Sequence, residues 1–139
     1  MPLLSRWFVR AGFVALALAL LMELLLARPA GLWPSLPDAA LHLGAIHLLT
    51  VGWLLQLITG VAYWMFPRHP TAPPRGHARL GWWGFGLLNL GLLLRLFGEP
   101  WRPAGTGPSW PLAVAALLQL GAVGCIIPLL WPRIRAVGS

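Results

Sequence analysis

Leu41-His42-Leu43-Gly44-Ala45-Ile46-His47-Leu48-Leu49-Thr50-Val51-Gly52-Trp53, running on to Tyr63-Trp64-Met65-Phe66-Pro67-Arg68, decides how this chain is read. No residue from Leu41 to Phe66 is charged. At ~1.5 Å of rise per residue, a helix of that length crosses the ~30 Å hydrocarbon of a bilayer with some tilt. The stretch also carries two histidines, two threonines, a glutamine and a tyrosine. Polar side chains are costly at that depth and are functional candidates by default. Any chemistry here rests first on His47.

Composition supports the membrane reading. Of 139 residues, 58% are hydrophobic and 9% charged, with a mean hydropathy of +0.76. That balance belongs to a small polytopic membrane protein. The ten basic residues are all arginine, and three acids leave a net charge of +7. The arginines are scattered singly between apolar runs and form no basic face, so nucleic acid is not an expected partner. The single cysteine, Cys125, excludes an intrachain disulfide and a cysteine metal cluster.

Four apolar stretches emerge, at about 8–27, 41–66, 80–98 and 110–131. Pro/Gly-rich connections separate them at 28–31, 67–76 and 99–103. The expected fold is all-α: one domain of four transmembrane helices in an antiparallel bundle. Arg6, Arg10, Arg68, Arg75, Arg79, Arg133 and Arg135 fall on one side, whereas Arg28 and Arg102 share the other with Asp38 and Glu99. The positive-inside rule then places both termini in the cytoplasm, and the expected location is a bacterial or archaeal inner membrane. Tryptophans agree with these ends: Trp7, Trp64, Trp82, Trp83 and Trp131 on the inner boundary, Trp33, Trp101 and Trp110 on the outer. Helix 1 has the basic start of a signal peptide, but its long run and Pro29 are expected to leave it uncleaved.

Depth groups the intramembrane polar residues. Glu23, His47 and Arg95, from three helices, each fall in the outer third, so a carboxylate, an imidazole and a guanidinium share one level. A Glu23–Arg95 pair with no further role is one reading. On helix 3, Gly81, Gly84, Leu88, Gly91, Arg95 and Gly98 share a face at 100° per residue. That groove admits either another helix or a planar macrocycle with its carboxylates beside Arg95. Helix 4 aligns Leu117, Gly121, Gly124 and Pro128, and Pro128 should bend it. On helix 2, Gly52, Gln56, Gly60 and Tyr63 form a helix–helix stripe, while His47, Val51, Leu54 and Ile58 lie on a different stripe. His42 and His47 lie about 140° apart, which argues against one zinc ion between them. His42, His69 and His77 are expected in water. For His47 two readings stand: a hydrogen-bonded structural histidine, or a metal ligand, most naturally to haem iron.

The residues His47-Leu48-Leu49-Thr50-Val51-Gly52-Trp53 and Gly60-Val61-Ala62-Tyr63-Trp64-Met65-Phe66-Pro67-Arg68 resemble the second transmembrane helix of haem-copper oxidase subunit I, a family that includes the nitric oxide reductase large subunit. Ala78-Arg79-Leu80-Gly81-Trp82-Trp83-Gly84-Phe85 resembles the start of that family's third helix. The likeness covers about 41–95. It implies that His47 is an axial ligand of a b-type haem, with Arg95 neutralising propionates and Glu23 orienting a histidine or pairing with Arg95. The family's second axial histidine and copper ligands lie on later helices that this chain lacks, so the resemblance does not imply oxygen or nitric oxide reduction by this chain alone. A second axial histidine would come from His47 of another copy, or from His42. The expected role is electron transfer or haem handling beside a respiratory oxidase or nitric oxide reductase; the alternative is a cofactor-free accessory or assembly subunit. A homo-oligomer or a larger respiratory complex is the expected state.

Overall fold

The computed structural model of the chain describes residues 1–29, 38–68, 75–99 and 109–134. The connections at 30–31, 69–74 and 100–103, with His69, Trp33, Trp101, Arg102 and Arg135, lie outside the described residues.

Most of the described residues are helical, and no strand occurs among them. Helix α1 covers Leu3–Leu26 and α2 covers Asp38–His47. A π-helical segment, Leu48–Leu55, continues directly into α3, Gln56–Met65. Helix α4 covers Ala78–Gly98 and α5 covers Trp110–Leu130, closed by a 3₁₀ turn at Trp131–Arg133. Four spans are therefore long and apolar enough to cross a membrane: α1, the rod Asp38–Met65, α4, and Trp110–Arg133. Helix 1 begins five residues before its expected start, because Arg6 and Arg10 at a membrane boundary are as compatible with helix as leucine is.

The second span is not a uniform α-helix. At the start of its π segment, His47 Nδ1 donates to the Leu43 carbonyl and Thr50 Oγ1 to the Ile46 carbonyl, each at 2.8 Å. Just past its end, Gln56 Nε2 donates to the Gly52 carbonyl at 2.8 Å. Side chains competing for i−4 carbonyls are a recognised cause of a disturbed helical ladder. The wider π turn splits one expected stripe. His47 and Val51 are partly buried, whereas Leu54 and Ile58, placed with them at 100° per residue, are exposed at 49% and 57%. The other stripe holds: Gly52, Gln56, Gly60 and Tyr63 are all buried.

Packing divides the spans into two pairs. Helix α1 lies mainly along the second span, and α4 mainly along α5. Glycines permit the close approaches. A Cβ on Gly52 would lie 2.8 Å from Ala15 Cβ and 2.9 Å from Leu92 Cδ2. One on Gly91 would lie 2.9 Å from the Ala115 carbonyl oxygen, and one on Gly81 would overlap Leu4. With little hydrophobic force between helices in lipid, such contacts carry much of the association. Between the pairs, Phe85 sits edge-on to Phe8 at 5.1 Å, with Trp7 and Trp82 beside it.

Polar side chains clasp the second span to the α4–α5 pair at three levels. In the middle, the Gln56 and Asn89 amides exchange hydrogen bonds of 3.1 and 3.2 Å. At one end, Arg133 donates to the carbonyls of Tyr63, Phe66 and Pro67. At the other end, His47 of α2 faces Glu99 just beyond α4.

Candidate functional site

His47 closes α2, and its ring is oriented by a helical carbonyl. Nδ1 lies 2.8 Å from the Leu43 oxygen and 3.5 Å from Glu99 Oε1. A carbonyl only accepts, so Nδ1 carries the proton. The other ring nitrogen, Nε2, has no hydrogen-bond partner among the described residues. Glu99 follows the last residue of α4, and its side chain is 7% exposed. Arg95, one turn earlier, approaches the same carboxylate oxygen at 3.7 Å. The result is a His47–Glu99–Arg95 cluster joining two spans.

Burial raises the Glu99 carboxyl above the usual carboxylate range; the neighbouring His47 and then Arg95 pull it part of the way back. Its position at the end of α4 adds no relief, because the negative end of a helix disfavours an anion. Glu99 Oε2 and Arg95 Nε are buried without a hydrogen-bond partner among the described residues.

The expected cluster of Glu23, His47 and Arg95 does not form. Glu23 Oε1 lies 4.0 Å from Nδ1 of His42, and both side chains are well exposed. The two histidines thus face different carboxylates, as their angular separation requires. Arg28, beyond the end of α1, pairs with Asp38 at 2.8 Å. Sequence reasoning missed Glu99 by reading it as a loop residue before Pro100. Its i+4 spacing from Arg95 was the available signal.

The glycine face of α4 is occupied by helices rather than a macrocycle. Gly84 meets Ile126 and Cys125, Gly91 meets Ala115 and Gln119, and Gly98 meets Pro111 and Leu112, all of α5. A haem enclosed in that groove would need α4 and α5 to separate. The donor set fits a haem differently: one imidazole, oriented through Nδ1 and open at Nε2, meets the requirement for a single axial ligand. No group of three or more His, Cys, Asp or Glu able to hold a metal ion occurs among the described residues. On α5 the face that aligns Leu117 with Pro128 is open. Leu117, Gly121, Gly124 and Pro128 are exposed, and a Cβ on Gly124 would meet nothing within 4 Å.

Comparison with protein-family models, with curated proteins and with solved structures finds no match for this chain.

Proposed function

We propose that this multi-pass membrane protein holds one b-type haem through Nε2 of His47 and acts in electron transfer or haem handling beside a respiratory oxidase or nitric oxide reductase. The observation that carries this reading is the His47 ring itself, with Nδ1–H directed to the Leu43 carbonyl and Glu99 and Nε2 left unbonded. Leu43 and Glu99 set the tautomer and raise the basicity of the ligating nitrogen. Arg95 lies close enough to Glu99 to exchange that partner for a propionate. When bound, the haem supplies one-electron redox chemistry. Because α5 takes up the glycine face of α4, a haem held by His47 would lie outside that groove, and a second protein ligand would come from another copy or a larger partner. The open Gly121–Gly124 face of α5 suits a homo-oligomer. The four spans form an antiparallel bundle with both termini cytoplasmic, by the arginine distribution, in a bacterial or archaeal inner membrane.

A second reading is a cofactor-free accessory or assembly subunit of such a complex. The closed α4–α5 groove favours it, because the feature best suited to a flat ligand is taken up by packing.

The deciding experiment is an absorption spectrum of the protein purified in mild detergent from haem-supplemented cells, oxidised and dithionite-reduced, beside His47→Ala. A Soret band with reduced α and β bands, absent in the variant, supports the haem reading. A stoichiometry of one haem per two chains supports ligation by His47 of two copies. Haem retained by His47→Ala removes the ligand assignment, and haem absent from both proteins leaves the accessory reading.

A further inference from the structure

A cavity of about 320 Å³ lies between α1 and α4, two spans of different pairs that touch each other little. Trp7, Arg10 and Phe85 line one end, and Leu18 and Leu96 the other. Its walls are almost wholly apolar, and exposed Val14 stands at its mouth. From Trp7 to Leu18 the groove follows α1 for roughly 16 Å at ~1.5 Å per residue. That is about half of the ~30 Å hydrocarbon thickness, the depth of one leaflet.

Charge identifies the occupant further. Arg10 is exposed and makes no hydrogen bond or ion pair among the described residues. The three acidic residues of the chain are Glu23, Asp38 and Glu99. All three lie at the opposite end, where they meet His42, Arg28 and His47. No acidic side chain of this chain, or of a second copy aligned with it, reaches the level of Arg10. An anionic headgroup at the membrane surface does, and Trp7 and Trp82 flank that level as interfacial tryptophans do.

The geometry points to a binding site for one anionic phospholipid, its phosphate on Arg10 and one acyl chain in the groove between α1 and α4. The lipid fills the gap between the two helix pairs and helps to hold them together. Its charged contact, Arg10, lies at the opposite end of the spans from His47.

The test adds phosphatidylglycerol or phosphatidylcholine, one at a time, to the full chain in a neutral detergent and counts retained lipids by native mass spectrometry. The wild type is expected to retain the first phosphatidylglycerol about fivefold better than phosphatidylcholine. Arg10→Gln abolishes that preference and Arg10→Lys keeps it. Val14→Trp, which closes the mouth, lowers retention of both lipids, and Arg68→Gln changes neither. Equal retention of the two lipids by the wild type overturns the site, as does a preference that survives Arg10→Gln. A loss as large in Arg68→Gln makes the effect one of net charge and also overturns it. A dimer broken by Val14→Trp, with lipid retention unmoved, gives the groove to a second copy.

Discussion

Gln56 and Asn89, 33 residues apart, present their side-chain amides to each other and exchange two hydrogen bonds within the apolar interior. Each amide also donates to the carbonyl four residues before it, Gln56 to Gly52 and Asn89 to Phe85. All four polar atoms of the pair are thereby satisfied, which matters most where no water can substitute. Replacing either residue with leucine leaves its partner short of bonds and should destabilise the protein by about 1–3 kcal/mol. The double variant should recover part of that loss, with a coupling of about 0.6–1.7 kcal/mol. Unfolding titrations in mixed detergent micelles measure this. Strict additivity of the two single variants would show that the amides do not act on each other.

Arg133 should be worth more than its place near the end of α5 suggests. Its side chain is buried, donates to three carbonyls at the end of α3 and lies 5.4 Å from the centre of the Tyr63 ring. It satisfies helix-end oxygens that have no intrahelical donor. Arg133→Met keeps the aliphatic bulk and should cost about 2–3 kcal/mol. Arg79→Met, at an exposed position on α4, serves as the control and should change stability little.

Glu99 makes stability depend on pH. Its carboxyl is raised above the unfolded value of 4.5, chiefly by burial, so the folded chain holds that proton to higher pH than the unfolded chain does. The stabilisation from this difference is fully present below the unfolded value and is lost as pH rises through the folded one. The thermal midpoint of the wild type should therefore fall, relative to Glu99→Gln, as pH rises above about 4.5. Parallel pH profiles for the two proteins would discharge Glu99 from this role.

Two glycines separate packing from propensity. Gly52→Ala places a methyl group against Ala15 and Leu92 at 2.8 and 2.9 Å and should cost about 1–3 kcal/mol. Gly124→Ala meets nothing within 4 Å and should gain about 0.5–1 kcal/mol from helix propensity. If Gly124→Ala instead weakens a dimer seen by cross-linking, the α5 face is an interface between copies.

Much of this protein is determined by its sequence alone. Long uncharged runs punctuated by Pro and Gly can satisfy their backbone in lipid only as helices, so the four spans are legible to within a few residues. Small-residue spacing also revealed the buried stripe Gly52–Gln56–Gly60–Tyr63 and the packed glycine face of α4. What tertiary structure decided is which polar group meets which. Glu23 and Glu99 are both acids near the end of a span, and the choice between them for His47 depends on which helices are neighbours. Across the π segment, Leu54 and Ile58 leave the partly buried side of His47 and Val51, for a cause no 100° wheel contains. Asn89 and Arg133 read as an interior amide and a boundary arginine until the second span lies against α4 and α5. Apolar periodicity tells a helix which side to bury; a polar contact needs two specific atoms within about 3 Å, and only the packed arrangement supplies that.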